Sequence, residues 1–377
     1  MNFDFSDDEK LVADQVGRLL ADRCDTAAVR KVLEGEAGFN RDAWEGLVEM
    51  GLTGTALPEA YGGVDAGYLT LCLVAQKLGA HVAPTPFSST VYLVSEALLR
   101  FGSDAQKEQW LPKIAAGEIT GALAVTETTG ELTESGISAS VSAGKLTGSK
   151  LVVADGLIAN IAVVLARSDA GLGLYLADLG DATVSRSAVE TVDPTRASAT
   201  LTFDGTPVEP IGSTSAGWSN LHAVYDRAAV LFAFEQIGGA QSALDMAVSY
   251  ARERYAFGRP IGSFQALKHI MADMYVALKL AESNCYYAAW ALASDSADLP
   301  LAAATARVSA TQAYQLCSRD NIQVHGGMGF TWEFDCHLYY RRSNFLALEL
   351  GGLAVWEDKV ISGLPLGDAV NNDEAAA

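Results

Sequence analysis

The chain is 377 residues long, half of them hydrophobic, and carries a formal net charge of −20. That length exceeds one small core and allows two or three domains. The acidic balance argues against general nucleic-acid binding, and no apolar run approaches the roughly 18 residues needed to span a membrane. The five cysteines, Cys24, Cys72, Cys285, Cys317 and Cys336, are scattered, odd in number and form no CxxC. They read as reduced thiols of a cytosolic protein, not as a disulfide frame or zinc site. The start, "MNFDFSDDEK", is acidic and lacks a signal-peptide layout. A cytoplasmic location is expected.

Residues 1–120 read as helical. "DDEKLVADQVGRLLADRC" puts Leu11, Val12, Val16, Leu19 and Leu20 on one face, with Ser6 as N-cap. "AWEGLVEMGL" is a short helix ending at glycine. "LPEAYGGVDAG" is turn chemistry, and "YLTLCLVAQKLGAHVAP" and "DAQKEQWLPKIAAGE" are two more helices.

Residues 121–208 change character. "KLVVADG", "NIAVVLARS", "LGLYLADL" and "SATLTFDG" are short and punctuated by Gly, Asp and Ser. In the last, Ala199, Leu201 and Phe203 alternate with Thr200 and Thr202, the period of a half-buried strand. A small β domain is expected, a barrel or a sandwich.

Residues 209–377 return to helix. "DRAAVLFAFEQIGGAQSALDMAVSYARER" forms the first long helix. Phe264, Leu267, Met271, Met274, Leu278, Ala281 and Cys285 then give the 3-4 spacing of a bundle seam. "LAAATARVSATQAYQLCSRDNIQVHGG" is a third, Ala-rich helix, and the tail "NNDEAAA" is expected to fray. Between the first two helices lies "RERYAFGRPIGSFQALKHIMADM". Gly258, Pro260 and Gly262 break the helix there, and Arg252, Arg254 and Arg259 crowd the break. Such a corner either holds an anion or is a loop of solvated arginines.

Four segments carry a resemblance to the acyl-CoA dehydrogenase family that covers nearly the whole chain. They are "LPEAYGG", "DAQKEQWLPKIAAGEITGALAVTE", "RERYAFGRPIGSFQALKHIMADM" and "QVHGGMGFTWE", in that order. The resemblance implies an α+β fold: helical N-terminal domain, small β middle domain and C-terminal four-helix bundle. It also implies FAD bound across a subunit interface. Arg254 pairs with the pyrophosphate, Phe257 packs by the adenine side, and Phe264 and Gln265 line the same site. Gln323, Gly326 and Gly327 meet the adenosine diphosphate, and Val125 and Thr126 fit the flavin-contacting strand. The implied reaction is α,β-dehydrogenation of an acyl-CoA, with a carboxylate taking the α-proton and the β-hydride passing to flavin N5. The implied partners are the acyl-CoA, an electron-transfer flavoprotein as acceptor, and a homodimer, homotetramer or heterotetramer with a homologous subunit. His325 reads as structural; His81, His222, His269 and His337 show no ligand spacing, so no metal is expected.

The chain departs from the family pattern in two places. After "VTE" the usual Pro-Gly-Ala-Gly-Ser-Asp is replaced by "TTGELTESG", and the Trp and Thr of the next flavin-facing strand fall on Val152 and Ala154. The two register positions for the base hold Leu350 and Ala228. Nearby acids are Asp226, preceding Arg227 at the expected start of the long helix; Glu349, one residue short of its register; and Glu235. Asp226 is taken first and Glu349 second. The plain readings are a helix-dipole acid for Asp226, a polar contact at a helix start for Glu349 and a paired buried acid for Glu235. "YYRRSNFLALELGG" also resembles the base-lacking chains of heteromeric dehydrogenases of steroid side-chain degradation. Three readings stand: a self-sufficient dehydrogenase, an FAD-binding partner subunit, and a flavin monooxygenase or oxidase on the same fold.

Overall fold

Ser6 caps helix α1 (Asp7–Arg23) as expected. Its hydroxyl accepts from the Glu9 amide at 3.3 Å while the Glu9 carboxylate accepts from the Ser6 amide at 2.7 Å, a reciprocal capping box. The computed structural model describes residues 5–35 and 38–364, and "NNDEAAA" lies outside them. Val16 and Leu20 are buried with Ala13, while Leu11 points to solvent. Leu11 sits about 140° around the helix from Val16, outside the inward stripe.

Helices α2 (Thr26–Leu33), α3 (Arg41–Glu49), α4 (Gly67–Ala80), α5 (Glu96–Phe101) and α6 (Asp104–Ala115) complete the N-terminal layer. Between α4 and α5 runs a π-helical stretch, Ser88–Ser95, buried along its whole length.

Seven strands follow: β1 (Gly121–Ala124), β2 (Ser140–Ser142), β3 (Lys145–Val153), β4 (Ile161–Ser168), β5 (Gly171–Asp178), β6 (Val184–Ala188) and β7 (Ala199–Ile211). The order β4–β2–β3–β7–β5 closes back on β4, giving a barrel; β1 adds parallel to β4, and β6 antiparallel to β7. The alternation in β4 explains how the barrel attaches. Ile161, Val163 and Leu165 join the core shared with the helices, while Ala162, Val164 and Ala166 fill the barrel. The expected alternation in β7 also holds: Ala199, Leu201 and Phe203 are buried.

The C-terminal layer holds three long helices, α7 (Gly217–Glu253), α8 (Gln265–Ala293) and α9 (Leu299–His325). The shorter α10 (Cys336–Leu348) and α11 (Leu353–Gly363) pack on α9 and complete the bundle. Helix α7 starts nine residues before Asp226, because Leu221 and Val224 already carry its buried stripe. In the bundle seam Met274, Leu278, Ala281 and Cys285 are fully buried, while Phe264, Leu267 and Met271 are half-exposed. Helix α4 crosses α7 in backbone contact. A Cβ on Gly79 would lie 1.8 Å from the Glu235 carbonyl oxygen, and one on Gly238 would lie 1.9 Å from that of Gln76.

Candidate active site

Two sets of residues converge at one end of the bundle. Helix α7 ends at Glu253, and the chain makes a small hairpin, β8 (Tyr255–Ala256) and β9 (Arg259–Pro260), before α8. The break is therefore a β-turn between helices, not a plain helical turn. Phe257 and Gly258 occupy it with φ of 53° and 77°, the two positive values a tight hairpin turn needs. Phe257 is 96% exposed. It meets Phe264 edge-on, and the Arg259 guanidinium lies 4.1 Å over the Phe264 ring. Arg254 and Gln265 are also exposed. Behind the hairpin is a pocket of about 350 Å³ lined by Val248, Ala251, Arg252, Pro260, Gly262 and Met271.

The end of α9 lies beside this corner. The Tyr250 and His325 rings stack at 4.0 Å, and His325 Nδ1 is 2.9 Å from the Asn321 carbonyl oxygen. His325 thus ties α7 to α9. Gln323, Gly326 and Gly327 are exposed beyond it, and nothing lies within 4 Å of where a Cβ on either glycine would be. Arginines, exposed aromatic edges and bare backbone together suit a ligand with an anionic bridge and a flat ring. The diphosphate and adenosine of FAD have that chemistry.

Val125 and Thr126 lie far along the sequence, at the end of β1. Their backbone is pinned: Lys150 Nζ donates to the Val125 carbonyl at 3.2 Å, and the Leu151 amide to the Thr126 carbonyl at 2.7 Å. Lys150 is itself buried and donates to Glu127 at 2.6 Å. Burial pushes the Glu127 carboxyl up, but Lys150 and Ser138 outweigh it and hold the group below its usual range. The register of β3 against β7 shifts between Lys150 and Val153. At that irregularity Val152 has φ 48° and is half-exposed.

The three acids separate clearly. Asp226 lies inside α7, where no helix-dipole role is available, and its carboxylate accepts from Lys359 of α11. Burial raises its proton affinity, against the pull of Lys359. Glu235 pairs with Arg342 at 3.4 Å, as a buried paired acid. Glu349 caps the end of α10; it does not start a helix. Its carboxyl lies deep in the fold yet reaches solvent, the residue as a whole being only partly buried, and its side chain makes no hydrogen bond or ion pair among the described residues. Burial pushes it up to about 7; Arg196 and Arg307 pull it down, and Asp155 and Glu235 push it further up. The structure does not bring Asp226 and Glu349 into one hydrogen-bonded pair.

Around Glu349 lies a buried ionic cluster that sequence reasoning missed. Arg342 donates to Asp193 at 2.6 Å and to Thr195 at 2.8 Å. Arg196 grips both oxygens of Asp155, which also accepts from Ser89 of the π-helical stretch at 2.5 Å. Arg307 donates to the carbonyls of Leu346 and Glu349. The available signal was local: "AAATARVSA" sets one arginine in an otherwise small, apolar helix face.

Two helical layers thus clasp a β-barrel, with an unpaired carboxyl beside the ionic cluster and an open glycine corner at the end of the bundle. The family models for the acyl-CoA dehydrogenase N-terminal and C-terminal domains match residues 6–118 and 215–356. The acyl-CoA dehydrogenase IpdE2 of Mycobacterium tuberculosis is 33% identical over 341 residues, covering 90% of this chain and 91% of that protein. A chain of the ChsE4–ChsE5 complex from Mycobacterium tuberculosis superposes with a TM-score of 0.88 at 27% identity, covering 97% of this chain and all of that one. The Tcur3481–Tcur3483 steroid ACAD structure gives 0.86 at 28%, covering 94% and 97%. The chain belongs to the acyl-CoA dehydrogenase family.

Proposed function

We propose that the protein dehydrogenates an acyl-CoA thioester at its α,β bond with FAD, and that Glu349 takes the α-proton. One observation carries the choice of base: Glu349 is the acid of the three whose carboxyl has no ion-pair partner among the described residues, while Lys359 occupies Asp226 and Arg342 occupies Glu235. A carboxyl near 7 is balanced between holding and accepting a proton at neutral pH, as a general base requires. FAD, when bound, supplies the acceptor for the β-hydride. Arg254 would pair with its diphosphate, Phe257, Phe264 and Gln265 with the adenosine side, and Gln323, Gly326 and Gly327 with the adenosine diphosphate across a subunit interface. Val125 and Thr126 would face the flavin with rigid backbone. The apolar Tyr275, Val276 and Leu280, exposed on α8, support an oligomer. An electron-transfer flavoprotein would receive the electrons.

A second reading has its own support. Leu350 stands at the register position of the base, and the two structural neighbours above are pairs of named chains. In that reading the chain is a heteromeric partner. The test is anaerobic bleaching of the flavin by a panel of acyl-CoAs. Bleaching by the protein alone, lost in Glu349→Gln and kept in Asp226→Asn, supports the first reading. Bleaching only after mixing with a co-encoded homologue supports the second.

A further inference from the structure

Arg307 is fully buried, yet only part of its guanidinium is used. Nη2 donates to the carbonyl oxygens of Leu346 and Glu349, the latter at 2.7 Å. Nη1 is buried without a hydrogen-bond partner. A buried guanidinium N–H left unmet is costly, so it calls for a partner. The Glu349 carboxyl, on the residue whose backbone Arg307 already holds, is also unmatched. A spare donor and a spare acceptor thus stand on one residue pair.

The neighbours explain why that pair is special. Arg196 answers Asp155, and Arg342 answers both Asp193 and Glu235. Three arginines therefore face four carboxylates: Asp155, Asp193, Glu235 and Glu349. Glu349 shares Arg196 with Asp155, and Arg307 is the cation that makes no ion pair with the other three. Tyr225 of α7 also faces Glu349, with its phenol pushed up by burial and by that carboxyl. With Glu349 protonated the cluster is neutral; with it ionised the cluster carries one excess negative charge. The chain path agrees. Helix α10 ends at Glu349, and Leu350 follows with φ 63°, a left-handed value a leucine adopts only when its surroundings impose it. The two carbonyls held by Arg307 lie just before that bend.

We propose that Arg307 is the positioning residue of the active site: its Nη2 fixes the α10 end and its Nη1 stands ready for the ionised Glu349 carboxylate. This rests on the reading of Glu349 as the base. The arrangement sets where the proton acceptor stands and how readily it ionises. It also gives a reason for a glutamate one place short of the register to serve, since the backbone bend at Leu350 is held from α9.

The test uses the flavin-loaded protein and two readouts. The first is an infrared titration of the carboxyl band that Glu349→Gln removes. The second is the pH profile of flavin bleaching by an acyl-CoA. Arg307→Met removes one of the two facing cations, so the Glu349 titration should move up by about one pH unit. Arg307→Lys keeps the charge and loses the fork; its titration should stay near wild type while bleaching slows about tenfold or more. An unmoved band in Arg307→Met, or wild-type bleaching across pH in Arg307→Lys, overturns the proposal. If Arg307→Met does not fold, the bleaching of Arg307→Lys decides alone. If Glu349→Gln bleaches normally but the band moves in Arg307→Met, the contact stands and the base assignment falls.

Discussion

Gly79 and Gly238 let α4 and α7 touch backbone to backbone, which joins the N-terminal and C-terminal helical layers. A methyl at either position would sit under 2 Å from a carbonyl oxygen of the other helix. The neighbouring Glu235 shares this crossing, since its carbonyl is the one Gly79 meets. The backbone approach thus helps set where Glu235, and through it Arg342, stands in the ionic cluster.

Gly238→Ala should therefore destabilise the protein strongly, although alanine is the better helix former by about 1 kcal/mol. Forcing apart two packed helices costs roughly 3 kcal/mol or more. Urea unfolding measures it. A variant as stable as wild type would show that the helices are not in backbone contact.

The layout of the fold was legible because its signals are local and periodic. Ser6 and Glu9 announce a capping box, and Ala199, Leu201 and Phe203 announce a strand. The ionic cluster was not legible, because its members are far apart in sequence: Arg342 lies 149 residues from Asp193, and 107 from Glu235. The π-helical stretch, SSTVYLVS, mixes hydroxyl and apolar side chains without a helical or alternating period. The glycine corner was visible as a motif; the two-residue hairpin inside it was not, because Phe257 is an unusual residue for a positive φ. Its place before Arg227 puts Asp226 first among the acids in the sequence. What demotes it is Lys359, 133 residues away.

Arg342→Met should be among the most damaging single changes. It leaves Asp193 and Glu235 without their shared cation in the interior, a loss of about 3–5 kcal/mol. Adding Asp193→Asn and Glu235→Gln removes the stranded charges, so the triple variant should recover much of the loss. Thermal unfolding of the single and triple variants checks this. A triple variant no better than the single would mean that packing, not charge, sets the cost.

Arg254→Ala and Gly327→Ala should separate cofactor binding from folding. Both positions are exposed, and Gly327 has open space where a methyl would go. Stability should change by less than about 0.5 kcal/mol in each. Flavin content after purification should fall in both, through a lost charge-assisted contact in one and blocked backbone approach in the other. Full flavin content in both variants would remove the corner from the proposed FAD site.

Glu349 also predicts how stability depends on pH. Its proton affinity is raised on folding, from an ordinary carboxyl near 4.5 to about 7. A group raised in the folded state stabilises it fully below the unfolded value and loses that contribution as pH climbs through the folded one. Wild type should therefore lose stability between about pH 4.5 and pH 7 through this group, by up to about 3 kcal/mol. Glu349→Gln cannot ionise and escapes the loss. The variant should be more stable than wild type at pH 8, and the gap should shrink toward zero near pH 4. Urea unfolding of both proteins across that range gives the gap directly. A gap that stays constant with pH would mean that Glu349 ionises as readily folded as unfolded. That would remove the unpaired carboxyl from the base assignment.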